Sequence, residues 1–450
     1  MRNEIPRRAF IKQTGTALAA AGVLARPRKA DAANDRIVLG AIGLGGRGRG
    51  HARMFAYDDN VAVKYVCDVD DERIGSFPDQ LERIQKRPVK AVKDLRRILD
   101  DPEVDAVCVA TCDHWHGPAT VWACQAGKDV YVEKPASHNI WEGRKMVEAA
   151  RKYGRVVQVG TQNRSAPYIH EARARIAAGE IGETPLVKVY NLKAGGPLHC
   201  RGEEDVPKGV DYDLYLGPAP MRPFNRCHFH DGWKHWWVYS GGDMADDGVH
   251  QLDIARMLLG DPKAPVAVSA SGGKLAWPDA AGDVPDTQAV TFEFPGCVMT
   301  FELAEYMPYM MKTPGEVRDT GKLPHWPTNS TRIELYGKKE LMYVGRHGGG
   351  WQVTQRGGKT GDEMPGRQTT PEHHQNFIEC IRSRKKPNAD IDIGHQSAIL
   401  VHLGNIATAL GGRRLEFNPE TEQITNDAEA NAHLLRKRSY RAGYEIPETV

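Results

Sequence analysis

Residues 36–48 read RIVLGAIGLGGRG, and this stretch decides the fold. Arg36 to Ile42 is an apolar run of strand type. It ends in Gly43-Leu44-Gly45-Gly46-Arg47-Gly48, a G-x-G-x-x-G turn that opens into a helix-like stretch. In such a turn Gly43 permits the tight bend, Gly45 lets a pyrophosphate approach the backbone, and Gly48 lets helix and strand pack closely. The phosphates sit at the helix N-terminus, where free N–H groups and the helix dipole favour anions. Gly46 and Arg47 belong to the same cofactor-binding turn. Alone the motif is weak, because glycine-rich turns are common.

Its surroundings strengthen it. A second strand, Val61 to Cys67, ends in Asp68, twenty residues beyond Gly48. A carboxylate there hydrogen-bonds the ribose hydroxyls of a dinucleotide and repels a 2′-phosphate, so NAD is favoured over NADP. The competing role for Asp68 is an ordinary helix cap. Residues 71–86 and 92–100 read as helices, 104–110 as a strand ending in Thr111-Cys112-Asp113-His114-Trp115-His116, and 117–127 as a helix. Val130–Val132 is the next strand and runs into Glu133-Lys134-Pro135. Ser137 is placed to cap a helix running to Tyr153, with Gly154 as its stop and a strand over Arg155–Val159. This alternation predicts a doubly wound parallel sheet. Ligands bind beyond the carboxyl ends of such strands, so Thr111, His114, His116, Glu133 and Lys134 fall on the nucleotide's rim.

Charge is balanced over the 450 residues, with a formal net of +2, and nothing points to nucleic acid or an anionic membrane. No apolar run is long enough to span a bilayer. The first 33 residues differ from the rest. Arg7-Arg8 precedes an apolar stretch from Thr14 to Ala25, then the small residues around Ala30-Asp31-Ala32. That order reads as a twin-arginine signal, which predicts export to the periplasm or another extracytoplasmic space through the Tat machinery. The eight cysteines are scattered and read as buried free thiols, with a disulfide left open as the alternative. Gly348-Gly349-Gly350-Trp351 and residues 355–371 read as loops.

These motifs together resemble the Gfo/Idh/MocA oxidoreductases. The resemblance rests on Gly43 to Gly48, Cys67-Asp68-Val69-Asp70, Val104 to His116, Glu133-Lys134-Pro135, Gly160-Thr161-Gln162-Asn163-Arg164 and Gly241 to His250. It continues through His373-His374-Gln375-Asn376-Phe377 and Lys386-Pro387-Asn388-Ala389-Asp390. It implies a Rossmann domain over 34–158 and a second α/β domain over 159–450. The second domain would carry an open, mainly antiparallel sheet that commonly mediates homo-oligomers, here a dimer or tetramer. It also implies a catalytic Lys134, a cofactor-holding Glu133 and Gln162, a cis bond before Pro135, and an Asp246/His250 pair from a D-x-x-x-H pattern.

Residues 246–259 have helical apolar spacing, so Asp246, His250 and Asp253 share one face. That spacing suits a histidine pinned by a carboxylate and aimed at a substrate hydroxyl. Asp247 adds a second carboxylate, and which of the two faces the site is open. Upstream, residues 228–239 form the most aromatic stretch of the chain. Aromatic faces pack on sugar C–H faces, which makes Trp233, Trp236 and Trp237 candidates for substrate binding along with His235, Asn163, Arg164 and Asp247. A metal on His228, His230 and His235 is disfavoured for want of further ligand spacing. The expected activity is NAD-dependent oxidation or reduction of a secondary alcohol in a sugar, sugar derivative or cyclitol. The alternative is a glycosidase or lyase that oxidises transiently and recycles a tightly held NAD.

Overall fold

A computed structural model describes residues 36–450. The proposed export signal lies outside the described residues. β1 (Ile37–Ile42), β2 (Val61–Cys67), β3 (Lys90–Val92), β4 (Ala106–Val109), β5 (Asp129–Val132) and β6 (Val157–Val159) form one sheet in the order β3-β2-β1-β4-β5-β6. Every pairing in it is parallel. β4 and β5 are buried along their whole length, as expected of a sheet covered by helices on both faces. This is the doubly wound sheet that the sequence predicts.

Local boundaries differ: the stretch read as a helix over 92–100 is helical only over Arg96–Leu99 and follows the unexpected edge strand β3. The helix expected over 71–86 is broken into Asp71–Ile74 and Phe77–Gln85. Gly75 turns to φ +42° between them, and Pro78 sits in the first turn of the second helix, where its missing N–H costs nothing. Ser137 is not the cap of the following helix. That helix runs Ile140–Lys152, its cap is Asn139, whose side chain accepts from Glu142 N, and Ser137 Oγ instead donates to the Asn139 carbonyl.

Ten strands build the second sheet: β7 (Leu186–Leu192), β8 (Ala267–Gly273), β9 (Thr287–Phe294), β10 (Cys297–Ala304), β11 (Arg332–Tyr336), β12 (Leu341–Gly345), β13 (Gly350–Thr354), β14 (Thr360–Met364), β15 (Leu415–Asn418) and β16 (Gln423–Ile424). Only the β7–β10 pairing is parallel. β13 and β14 replace parts of the two stretches read as loops. Helix Ile391–Ala409 is buried nearly all round and joins the two units, with Ile391 and Ala398 in the Rossmann core and Ile399, Leu403 and Ile406 in the other. Phe377 and Ile378 of helix Thr370–Ser383 also return to the Rossmann layer, as do Tyr444 and Ile446 of the tail. Among the described residues no helix is long and apolar enough to cross a membrane.

Cys200 and Cys227 are joined by a disulfide, Cα atoms 5.7 Å apart, which corrects the free-thiol reading for that pair. The other six cysteines are free thiols.

Candidate active site

A cavity of about 550 Å³ lies across the carboxyl edge of the parallel sheet, and both units line it. Gly43, Gly45, Gly46 and Arg47 form one end. Gly43 has φ +87°, and a Cβ there would meet the Ala110 carbonyl oxygen at 2.5 Å. A Cβ on Gly48 would strike the Gly43 oxygen at 1.9 Å, so Gly48 serves helix–strand packing, away from the cavity lining. Cβ atoms on Gly45 and Gly46 would meet nothing within 4 Å. Helix Gly46–Ala56 starts with no side-chain cap and no acidic residue in its first turn, leaving its N–H groups for an anion. Asp68 follows β2, lines the cavity, and accepts from Leu44 N (2.7 Å) and Asp70 N (3.1 Å). These residues fit a dinucleotide, with its pyrophosphate on Gly45–Arg47 and its ribose at Asp68.

Glu133 and Lys134 end β5, and the Lys134–Pro135 bond is cis. Glu133 is buried and turned back into the fold, where its Oε1 accepts from His51 Nε2 (2.7 Å), Arg47 Nε (3.1 Å) and Gln162 Nε2 (3.2 Å). Burial alone would raise its pKa, but Arg47 and His51 outweigh that and hold it well below the usual range. Glu133 thus anchors the glycine turn through Arg47. Lys134 points the other way. Its Nζ donates to the Asp246 backbone oxygen (2.6 Å) and to Asp246 Oδ1. Lys234 Nζ donates to Asp246 Oδ2 (2.7 Å), so two ammonium groups grip one carboxylate. Burial opposes ionisation of Asp246, yet the two lysines hold its pKa far below normal.

Asp246 and Asp247 both face the cavity, and residues Met244–Gly248 form a π turn ahead of helix Val249–Leu258. Asp247 pairs with Arg346 Nη1 (2.6 Å) and with Lys312. His250 is 3% exposed and lines the cavity. Burial, with Arg346 and Lys134 nearby, pushes its pKa well below the histidine range, so its ring is neutral. No carboxylate pins it: its Nδ1 is buried without a hydrogen-bond partner among the described residues. Asp253, expected on the same face, is instead locked to Arg164 (Nε to Oδ1, 2.8 Å) at full burial.

Several expected ligand contacts are therefore corrected. Arg164 is 2% exposed and paired with Asp253 and Asp261, and it never reaches the cavity. His114 is fully buried against the Tyr215 carbonyl (3.1 Å), and His116 lies 2.7 Å from the Pro135 carbonyl; they shape the rim from behind. Trp236 bonds the Cys227 carbonyl (3.0 Å) and Trp237 packs on the second core. Those two and His235 lie outside the cavity lining. Thr111, Gln162, Asn163, Trp233 and Asp247 line it. Sequence reasoning missed Asp113, Lys234 and Arg346. Asp113 and Lys234 stand inside the stretches that drew attention for other residues, while Arg346 carries no local signal.

A roof closes the nucleotide end. Asp211 N bonds the Val69 carbonyl (2.9 Å), Lys93 Nζ the Gly209 carbonyl (2.7 Å), and His230 Nε2 the buried Asp70 (2.8 Å). The Cys200–Cys227 disulfide ties this segment to the loop bearing Trp233 and Lys234. Among the described residues no group of three or more His, Cys, Asp and Glu side chains is arranged to hold a metal.

Residues 37–161 match the Gfo/Idh/MocA oxidoreductase family's NAD-binding Rossmann fold. Residues 196–302 and 360–446 match that family's C-terminal alpha/beta domain. The chain is 28% identical to an uncharacterized oxidoreductase, YrbE, of Bacillus subtilis over 58% of this chain and 64% of that one. It is 29% identical to a scyllo-inositol 2-dehydrogenase (NAD(+)) of the same organism, over 78% of this chain and 88% of that one. Aldose-aldose oxidoreductase from Caulobacter crescentus has the same fold at 21% identity, with a TM-score of 0.62 over 85% of this chain and all of that one.

Proposed function

The chain belongs to the Gfo/Idh/MocA oxidoreductase family, and on that premise we propose that it oxidises or reduces a secondary alcohol or ketone of a sugar, sugar derivative or cyclitol with NAD. The observation that carries this reading is Lys134 at the end of β5. It shares one cavity with the glycine cradle, Asp246 and the neutral His250. Bound NAD supplies the acceptor or donor for the carbon-bound hydrogen. Gly45, Gly46, Arg47 and Asp68 would hold it. Lys134, hydrogen-bonded to Asp246, donates to the reacting oxygen and stabilises negative charge there. His250, neutral and buried with a ring nitrogen free, takes the hydroxyl proton on oxidation and returns it on reduction. Asn163, Trp233 and Asp247 supply the surrounding polar and apolar contacts.

The test is NADH formation by the full chain across a panel of sugars and cyclitols. Lys134→Ala should retain NAD binding and lose about 10²- to 10⁴-fold in kcat/KM. Cleavage of a glycoside with no net NADH would replace this reading with the recycling glycosidase.

We also propose export through the Tat route. It is supported by Arg7-Arg8 and the apolar stretch behind them, and by a disulfide of the kind an oxidising compartment preserves. A folded reporter carrying residues 1–33 should leave the cytoplasm, and Arg7→Lys with Arg8→Lys should retain it there.

A further inference from the structure

Asp113 follows β4 on the same rim as Lys134, in the loop after Thr111-Cys112. It is 3% exposed and lines the cavity. Its Oδ2 accepts from Ser240 Oγ at 2.7 Å, and Ser240 comes from the other unit, just before Gly241-Gly242. Its second oxygen has no hydrogen bond among the described residues. Lys134, Lys234 and Asp246 all act on it electrostatically, which sets it at the catalytic end of the cavity. A buried carboxyl with one oxygen clamped and the other open is a preorganised acceptor.

We propose that Asp113 binds a second hydroxyl of the substrate, beside the one that reacts, and so makes the site selective for vicinal polyols. The inference rests on the polyol reading above. Lys134 would take the reacting oxygen, and Asp113 the neighbouring hydroxyl. Polyols lacking that hydroxyl leave the carboxyl unpaired in a dry site, where the penalty is large.

Asp113 also carries a pH signature. Burial raises its pKa to about 7, against the pull of Ser240 and Lys134 and with a push from Asp246. The carboxylate is the stronger acceptor, so discrimination should grow as pH rises through about 7.

The experiment compares a turned-over polyol with its deoxy analogue, by kcat/KM and by calorimetric binding to the NADH-loaded protein, from pH 6 to 8.5. The wild type should prefer the parent polyol by about 10- to 100-fold at high pH, the weight of one charge-assisted hydrogen bond. Asp113→Asn should hold the preference at its low-pH level throughout. Asp113→Ala should lose it at every pH. Ser240→Ala removes the bond that stabilises the carboxylate, so the pH step should move upward. Wild-type discrimination and pH response in both Asp113 variants would overturn the proposal alone. A wild type that oxidises no polyol would overturn the reading beneath it, and the proposal with it. NAD affinity and Tm identify a variant that has merely lost its fold, and Asp113→Asn, nearly isosteric, then decides.

Discussion

Lys134 and Lys234 hold the two oxygens of one carboxylate, Asp246. With Lys134 and Lys234 both donating to Asp246, His250 is the neutral candidate for the proton acceptor. The sign follows from its environment. A histidine whose pKa is lowered keeps its proton-accepting form as pH falls through and below 6.5. In Asp113→Asn, where the step near 7 is removed, kcat/KM should therefore stay level from pH 8 to 6. A fall centred near 6.5 would mean that His250 is an ordinary exposed histidine. At this scale the sequence disclosed Lys134, Asp246, Asp68 and the glycines, because each sits in a motif whose spacing is local. Lys234 and Arg346 meet Asp246 and Asp247 only through tertiary folding, and no spacing along the chain announces them.

At the scale of elements, the helical face read from spacing was only half right, and a π turn over Met244–Gly248 precedes the regular helix. An ordinary helix would align Asp246, His250 and Asp253. Asp246, Asp247 and His250 reach the cavity, while Asp253, in the regular helix beyond the turn, faces Arg164. Arg164 is then a structural cation joining the start of the second unit to helix Val249–Leu258. Arg164→Met would strand the fully buried Asp253 carboxylate and should cost about 3–5 kcal/mol in urea unfolding. An unchanged midpoint together with a raised KM would restore Arg164 to the substrate site. The same limit applies to the aromatic stretch. Its composition marked a region near the site, but composition cannot separate Trp233, which lines the cavity, from Trp236 and Trp237, which support it.

For the whole molecule, the Rossmann half was legible because its strands are continuous apolar runs punctuated by glycine and acidic residues. The second sheet was legible only by resemblance. Its ten strands are discontinuous along the chain, and β7 pairs with β10 and β11 across long separations. The division at 158/159 also hides how much of the later chain returns. Arg438 pairs with the buried Glu142 (2.7 Å), and Tyr444 packs against Trp115 and Trp122. Removing residues 434–450 should thus lower the Tm and expose helices of the Rossmann half to protease, although no residue of the glycine cradle is touched. Retained Tm and protease resistance would show the tail to be dispensable.

The central claim is that Lys134 acts on a substrate oxygen beside NAD. The most direct measurement uses a polyol deuterated at the reacting carbon, with wild type and Lys134→Ala compared at equal NAD occupancy. The account predicts deuterium in the NADH formed by the wild type and about a 10²-fold or greater loss of that transfer in Lys134→Ala. Equal transfer by both proteins, or NADH without label, would contradict it.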